Sequence, residues 1–566
     1  MNKLYTVDRR SFLLAAAGGL AAPLVSGLRA GSRKGRTRRL LVNWDGSMIH
    51  CFGRAALGNP DGPLTREQFV SLVFTPLDEK AVDAVFFSFG SGNVAEYQSN
   101  VLQWPGEADE FQFPESRTWH GGIEVDPADQ HRNPKALADA GANPPAVIVE
   151  ECHRRGIDAF VSLRMNDCHD GQHARGERPN PELPTFKRQN PQWLVSDLDW
   201  WTALNFAHPR VRALKRRVIE EFFDRWDFDG IELDWLRHTL HFPRGTEADN
   251  AHHLTKFMRE VRESLKQRAK RRGRPIEIAV RIPERVDWCR AGGFDIRTWI
   301  AEDLVDILIL GQGLTELPTL NEFRGLMPDR RLPIYPCVTP YGNGYRLYPE
   351  EVVRANAANL WNDGADGLST FNWFFYGDWR RSLFEQIADP SRLLGRDKQQ
   401  VLVQRVEPPR REAGGDYVRF NTQTRAPALP VNLAEGEVTE LSIPLGPDGS
   451  PQRRPRTAEL CIAFEFLRDR DELEFSLNGH QLVASAEDGP LQARSIERHI
   501  DIPPGQGLLG IPSTRLLDMS FVGVRLEVPT EFLRAGHNQL ALNLRRRSPE
   551  VEFPLRVTRL ELATRY

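Results

Sequence analysis

Two acidic residues in the stretch FDGIELDWLRH are the first candidates for chemistry. Glu232 and Asp234 stand two positions apart in an otherwise apolar run, directly after a long amphipathic helical pattern. Residues i and i+2 of a β-strand point to the same face, so we expect both carboxyl groups on one face of a buried strand. Burying two carboxylates costs free energy unless they are paired or used. The pair therefore indicates either a catalytic site or an ion-paired layer inside the fold.

The elements that position this pair repeat one unit: a short apolar strand, a loop and an amphipathic helix. Near-continuous apolar runs are typical of parallel strands that are covered on both faces. Eight such strands can be identified between residues 39 and 397, and they begin at Leu40, Ala84, Asp158, Phe228, Glu277, Val305, Leu332 and Asp366. Eight strand–helix units predict a (β/α)8 TIM barrel. A doubly wound open sheet is the alternative, but no Gly-rich phosphate fingerprint follows the first strand.

The last part of the chain, residues 398–566, has a different period. LEFSLNGHQL alternates apolar residues at Leu473, Phe475 and Leu477 and turns at Asn478-Gly479. This pattern predicts antiparallel hairpins, and we expect a jelly-roll-like β-sandwich. All 13 tryptophans precede residue 380, so the sandwich lacks the indole rings that suit sugar stacking. An accessory packing role is therefore favoured over an independent carbohydrate-binding module.

The first 38 residues differ from both domains. Arg9-Arg10 precedes a short apolar segment rich in Ala and Gly, followed by a basic linker. This pattern predicts a twin-arginine signal peptide and a periplasmic or extracellular protein, with a non-cleaved anchor as the alternative. No later apolar run is long enough to cross a membrane. Oligomeric state is not encoded in any pattern found.

Charge and cysteine usage exclude several classes of function. The net charge of −3 leaves no basic footprint for nucleic acid. Six cysteines occur without a CxxC pair, a spacing that does not indicate a zinc site. Cys152, Cys337 and Cys461 fall in helix or strand patterns and are expected as buried free thiols, whereas Cys51 and Cys168 follow predicted strands and could meet.

Polar and aromatic residues gather where the eight predicted strands end. Barrel enzymes carry their working residues at these C-terminal ends and in the loops that follow. The predicted substrate-binding residues are Asn43, Trp44, Asp45, Arg164, Asn166, Asp167, His169, Arg237, His238, Arg281, Gln312, Tyr341, Asn372 and Trp373, with His50, Ser88, Glu96 and Tyr97 close by. Carboxylates, amides and indoles together suit a polyhydroxylated ligand, and a carbohydrate is the predicted partner.

The passage LNFAHPRVRALKRRVIEEFFDRWDFDGIELDWLRH resembles the family-ten-type glycosyl-hydrolase-like barrel proteins, a group of predicted glycosidases with exported bacterial members. Their pattern runs from N–P–x–V–R through a helix to DG–I–x–x–D–x–x–R. The matching positions are Asn205, Pro209, Val211, Arg212, Asp229, Gly230, Ile231, Asp234 and Arg237, with a looser spacing between the first two. The segment LRMNDCHDG, after the predicted third strand, also resembles that of the exported bacterial members. The resemblance covers the barrel and implies glycoside hydrolysis.

A more distant likeness is to chitinase-type barrels, whose fourth strand carries DG-x-D-x-D-x-E. Leu236 occupies the position of the final Glu. The catalytic acid of that family is therefore missing, and its mechanism does not carry over.

Glycoside hydrolysis usually needs one protonated and one ionised carboxyl group. Asp234 is the first candidate for nucleophile or base, and Glu284 at the end of the fifth strand is the candidate general acid. Glu232 lies one pleat deeper and is the other catalytic candidate, better placed to orient its neighbours. The seventh strand ends in CVTPYGNGY without an acid, which leaves a retaining mechanism open.

The other predicted residues divide by the part of the sugar they suit. Arg281 and Arg237 are predicted to hold carboxylates or an anionic sugar. The hydroxyl-binding candidates are Asn166, Asp167 and His169, and the stacking candidates are Trp44 and Trp373.

Two other classes of function use the same residues. Asp167, Asp234 and Glu284 end three successive strands and resemble the carboxylate trio that enolase-type barrels use for Mg²⁺ in proton abstraction. No Lys or His base is evident at the ends of the second, sixth or seventh strand. A non-catalytic glycan-binding protein on the same barrel is the third class. The glycosidase interpretation needs no metal or cofactor.

Overall fold

The structure is a computed structural model. It describes residues 38–56, 63–107, 118–120, 123–171, 180–195, 201–311, 320–328, 331–338, 349–371, 373, 378–403, 429–447, 454–483, 494–499 and 518–566.

Eight parallel strands close into a barrel, which confirms the predicted fold. The strands of this region are β1 (Leu40–Asp45), β2 (Ala84–Ser88), β3 (Thr118–His120), β4 (Ile123–Val125), β5 (Asp158–Arg164), β6 (Gly230–Asp234), β7 (Glu277–Ile282), β8 (Ile307–Leu310), β9 (Ile334–Val338) and β10 (Leu368–Phe371). The closed order is β1-β10-β9-β8-β7-β6-β5-β2. Strands β3 and β4, which the sequence did not predict, pair as a short hairpin outside the barrel.

Helices separate the barrel strands. They are α1 (Gly46–Ala56), α2 (Arg66–Phe74), α3 (Asp129–Asp139), α4 (Pro144–Arg154), α5 (Thr185–Gln189), α6 (Pro209–Arg225), α7 (Glu247–Arg272), α8 (Val286–Ala291), α9 (Ile296–Ala301), α10 (Leu320–Arg324), α11 (Glu350–Asn362), α12 (Asp378–Ile387) and α13 (Pro390–Leu393). Helix α6 precedes the central strand β6, begins with Pro209 in its first turn and buries Val218 and Phe222. Pro fits this position because its missing N–H would have no partner there.

The barrel interior has an apolar layer and a polar layer. The apolar layer consists of Leu41, Ala84, Phe86, Phe160, Ala279, Ile307, Ile309 and Tyr335. On several of these strands, polar side chains follow two or four residues later, as with Asn43 and Asp45 after Leu41 and Arg281 after Ala279. On β6 the alternation begins with Gly230. A larger residue there would clash, because a Cβ would lie 2.3 Å from a ring carbon of Phe160. The charged layer therefore lies at the C-terminal end of the barrel.

The second domain is an antiparallel β-sandwich, as predicted. Its strands are β11 (Lys398–Val403), β12 (Val431–Leu433), β13 (Val438–Leu445), β14 (Thr457–Glu465), β15 (Glu472–Leu477), β16 (His480–Leu482), β17 (Arg494–His499), β18 (Asp518–Glu527), β19 (Gly536–Arg546) and β20 (Leu555–Arg565). One sheet has the order β11-β20-β14-β18-β17 with β12 beside β20, and the other has the order β13-β19-β15-β16. From β13 onward the chain crosses repeatedly between the two sheets, with β15–β16 and β17–β18 as neighbouring pairs within one sheet each. The predicted turn at Asn478-Gly479 has both residues at positive φ, as a tight hairpin turn requires.

The two domains contact each other through helix α11. Asn359 Nδ2 donates a 2.8 Å hydrogen bond to Gln400 Oε1 of β11. All six cysteines are buried and free, so Cys51 and Cys168 do not form the disulfide left open by the sequence. Within the described ranges, no helix has both the length and the apolar character needed to cross a membrane.

Candidate active site

Glu232 lies deepest in the polar layer and is completely buried. Its Oε1 accepts hydrogen bonds from Asn43 Nδ2 at 2.8 Å and from Ser162 Oγ at 2.6 Å. Its Oε2 has no hydrogen-bond partner among the described residues. Burial raises the pKa of Glu232 to about 7, with Arg281 opposing the rise and Asp234 adding to it. Glu232 is therefore a carboxyl group that holds its proton close to neutral pH.

Asp234 ends β6 as a carboxylate with contacts on both oxygens. It lies in register with Arg164 on one side and Arg281 on the other. Its Oδ2 pairs with Arg281 Nη2, and its Oδ1 accepts from the backbone N–H groups of Leu236 at 2.9 Å and Arg237 at 3.0 Å. These contacts fix the orientation of the carboxylate and shape the loop that follows the strand.

Arg281 leaves part of its hydrogen-bonding capacity unused. Its guanidinium carbon lies 4.0 Å from the centre of the Phe371 ring, a cation–π contact. Its Nε and Nη1 have no partner in the described part of the chain, and neither does Oδ1 of Asp45. Buried polar groups are normally satisfied by protein or water. These donors and this acceptor can therefore hold water or the hydroxyl groups of a ligand.

A second network surrounds Asp167 in the loop after β5. Arg164 Nη1 donates to Asp167 Oδ2 at 2.9 Å, and its Nη2 pairs with Asp45. His169 Nδ1 lies 2.6 Å from Asp167 Oδ1. Although burial opposes ionisation, His169 and Arg164 hold the pKa of Asp167 well below its usual range. Arg237 Nη2 lies 2.8 Å from His169 Nε2, so Nδ1 carries the proton of a neutral His169 ring and Nε2 accepts.

Asp167, His169 and His238 are the described residues whose spacing could suit a metal ion, with ligand atoms within 4.8 Å of one another. Their donor chemistry does not fit one. His238 Nδ1 accepts the Cys168 N–H at 3.3 Å, so Nε2 of the neutral ring carries the proton and cannot bind a metal. Burial lowers the pKa of His238 well below its usual value, which keeps the ring neutral.

The enolase-like alternative required Asp167, Asp234 and Glu284 to share one ion. All three residues are described, and they are not brought together at metal-ligand spacing. Asp167 and Asp234 each pair with a different arginine instead. The structure thus contradicts the ligand trio on which that alternative depended.

Glu284 lies in the loop after β7 and its side chain is buried. A Cβ added at Gly311, just after β8, would lie 3.0 Å from Glu284 Oε2, so the carboxyl group reaches over the next strand. The charges of Glu284 and of both β6 carboxyl groups act on Cys337, whose pKa burial raises to about 12. The three predicted catalytic carboxyl groups therefore face one region of the barrel interior.

Three residues that were predicted to bind a sugar are buried within the fold instead. Asn166 is buried, and its Oδ1 accepts from Leu204 N at 2.8 Å while its Nδ2 donates to the backbone oxygens of Leu204 and Leu240. Its amide connects two loops, and both of its N–H donors are used within the fold. Trp44 and Trp373 have no exposed surface and belong to the main apolar core, so they do not present a face to a ring. Gln312, Tyr341 and Asn372 lie outside the described residues.

Other residues of the mouth were not identified as candidates from the sequence. Ser162 donates a hydrogen bond to Glu232. It lies two residues before Arg164 on β5, so the sequence already placed both side chains on the same face of that strand. Lys215 on α6 is buried and donates to the backbone oxygens of Gly92 at 2.7 Å and Arg164 at 3.3 Å. Burial lowers its pKa to about 7. Its hydrogen bonds connect α6 to the loop after β2 and to the end of β5.

The outer rim of the mouth carries a Glu–His–Glu chain. His131 Nδ1 lies 3.3 Å from Glu96 Oε1, and His131 Nε2 lies 3.7 Å from Glu182 Oε1. Ser47 Oγ donates to Glu96 Oε2 at 2.8 Å. Glu96 was collected from the sequence, but Glu182, in the loop before α5, and His131, on α3, were not. Only the folded chain brings them to the mouth.

Neither a protein-family model nor a curated protein sequence matches the chain. Solved structures give distant similarities. The glycoside hydrolase domain of PgaB (BpsB) from Bordetella bronchiseptica is 12% identical over 63% of this chain and 99% of its own, with a TM-score of 0.35. The α-L-fucosidase isoenzyme 2 from Paenibacillus thiaminolyticus is 13% identical over 62% of this chain and 48% of its own, with a TM-score of 0.37.

The endo-β-1,4-mannanase from Thermotoga petrophila is 11% identical over 77% of this chain and 90% of its own, with a TM-score of 0.37. All three names denote glycoside cleavage. These similarities are too distant to support a conclusion on fold or function. The fold therefore rests on the strand pairing, and the function rests on the site.

Proposed function

We propose that the protein is a glycoside hydrolase that cleaves a poly- or oligosaccharide at the C-terminal mouth of its barrel. One observation supports this function above the others. In the polar layer, Asp45 Oδ1, Glu232 Oε2 and the Nε and Nη1 atoms of Arg281 are buried without a partner among the described residues. Buried polar groups normally have a partner, so these four atoms are candidates for contact with a ligand or with water.

The unpaired atoms include both donors and acceptors, and that mixture suits hydroxyl groups. A hydroxyl group donates one hydrogen bond and accepts others, so one sugar can use both kinds. An anionic metabolite would leave the Asp45 carboxylate unpaired, and an apolar ligand would leave all three residues unpaired. The site chemistry therefore favours a polyol over these two classes of ligand.

The two β6 carboxyl groups have different surroundings and suit different roles. Asp234 is ion-paired with Arg281 and oriented by two backbone N–H groups, which suits a base or nucleophile. Glu232 holds its proton near neutrality but lies deeper, where it orients Asn43 and Ser162. Glu284 is the general acid predicted from the sequence. Glycosidases typically use a pair of carboxyl groups, one as the acid and the other as the base or nucleophile.

The remaining sequence-based expectations fit an exported glycosidase. The twin-arginine pattern before residue 38 supports export of the folded chain to the periplasm or beyond. A polysaccharide outside the cytoplasm is then the substrate, and the β-sandwich has a packing role beside α11.

A reducing-end release assay on the purified chain tests the function. Neutral and anionic polysaccharides are supplied with and without EDTA, and affinity gels loaded with the same glycans measure binding. Release of reducing ends that persists in EDTA supports the carboxylate mechanism. Retardation in the gels without release of reducing ends would indicate glycan binding in place of hydrolysis. The proposal is refuted if no glycan is either cleaved or retarded.

A further inference from the structure

The accessible part of the mouth is not where the sequence placed the acid. Side-chain exposure is 1% at Asp234, but 20% at Glu182, 21% at Arg237 and 27% at His169. The Glu284 side chain is buried as deeply as that of Asp234. A general acid must touch the glycosidic oxygen itself, whereas a base needs to reach only a water molecule. Among these carboxyl groups, Glu182 is therefore the one exposed enough to serve as the acid.

Specific contacts hold Glu182 beside His169. Asn180 Oδ1 accepts the Glu182 N–H at 2.9 Å, and Asn180 Nδ2 donates to the His169 backbone oxygen at 3.4 Å. Gln130 Nε2 donates to Glu182 Oε1 at 3.4 Å, on the same oxygen that faces His131. The hydrogen bond and the ion pair of the Glu182 side chain with described residues both involve Oε1. One oxygen is therefore anchored and the other is available to a substrate.

The charges around Glu182 favour its protonated form. Burial raises the pKa of Glu182, the nearby Asp167 and Glu96 carboxylates raise it further, and His131 and His169 oppose the rise. The pKa of Asp167 is held low in the same region. The ionised Asp167 carboxylate beside Glu182 therefore helps it to keep its proton until a leaving group takes it.

We propose that Glu182, rather than Glu284, is the general acid that contacts the glycosidic oxygen. The assignment rests on the proposed glycoside hydrolysis. The bond between the anomeric carbon and the glycosidic oxygen breaks, its electron pair stays on the oxygen, and that oxygen takes the Glu182 proton. Water adds to the anomeric carbon and gives its proton to the Asp234 carboxylate. Exchange with solvent restores both groups.

Leaving-group dependence tests this role. The full chain and its E182Q, E284Q and E437Q variants are assayed on oligosaccharides and on 2,4-dinitrophenyl glycosides of mono- and disaccharides. A dinitrophenolate departs without protonation, so loss of the acid spares that substrate. Glu437 is exposed on the sandwich, and its variant is the matched control.

E182Q is expected to lower kcat/KM on oligosaccharides at least about 100-fold, the lower end of general acid catalysis. On dinitrophenyl glycosides the loss stays within about fivefold, and the decline in rate at alkaline pH disappears, since a protonated acid is no longer required. E437Q changes neither. Equal losses on both substrates, no loss, or the same split in E284Q would overturn the assignment. A wild-type chain inert on both substrates would overturn the proposed function itself.

Discussion

Asp234 and Arg281 form an ion pair between neighbouring, register-matched positions of β6 and β7, and both side chains are 1% exposed. Each residue depends on the other, because breaking a buried pair leaves an uncompensated charge. The pair also orients the Asp234 carboxylate at the barrel mouth. A single contact thus serves the fold and, in the proposed mechanism, the chemistry.

The buried Glu232 carboxyl group makes stability depend on pH. Its pKa is about 7 in the folded chain and 4.5 as a free group, so the folded state retains a proton that the unfolded state releases. Stability from this group is full below pH 4.5 and is lost as the pH rises through about 7. We expect E232Q to remove roughly 1–3 kcal/mol of this pH dependence.

Urea unfolding at several pH values between 5 and 8 measures this effect. The difference between wild type and E232Q isolates Glu232 from the other titrating groups, and E437Q is the control. Parallel stability curves for wild type and E232Q would show that Glu232 is ionised throughout.

Asn166 is expected to stabilise the loops and not to bind the sugar. N166A removes the contacts to Leu204 and Leu240 and leaves buried backbone groups unsatisfied. The free energy of unfolding should fall by about 2–4 kcal/mol, with KM of the remaining folded enzyme within about twofold. Denaturant unfolding and steady-state kinetics on one preparation measure both. Unchanged stability together with a raised KM would return Asn166 to the substrate site.

Chelation is expected to leave activity unchanged. His238 already accepts a backbone N–H at Nδ1, and Arg237 occupies Nε2 of His169, so the Asp167 cluster lacks free metal ligands. Dialysis against EDTA should change the rate by less than about twofold, since no Lewis acid is needed when carboxyl groups supply the acid and base. Lost activity that Zn²⁺ or Mg²⁺ restores would contradict this account.

The barrel was predictable because each strand is an apolar run with a helix pattern behind it. The alternation that placed Glu232 and Asp234 on one face is a local property of the strand, and the structure places both side chains in the polar layer. The sandwich followed from its period of two and from Asn478-Gly479. These features depend on residues that are close together along the chain, so their patterns can be identified directly in the sequence.

The surroundings of single side chains were not predictable in the same way. Trp373 follows β10, but whether its ring faces the mouth or the core depends on Phe384 of α12, against which it packs edge-to-face at 5.1 Å between ring centres. Asn166 bonds to loops about 40 and 75 residues away in sequence. Glu182, in the loop before α5, and His131, on α3, come together only in the folded chain. Contacts of this range leave no periodic signal.

Replacement of Asp234 by Asn tests the central claim most directly. Asn keeps the shape but removes the charge, so release of reducing ends should fall at least about 100-fold. D229N is the matched control, because Asp229 also pairs with His153 and Arg274 but precedes β6 at the opposite end of the barrel. D229N should keep its turnover even if its stability falls. A D234N chain that folds and turns over like wild type would contradict the proposed role of the β6 carboxylate.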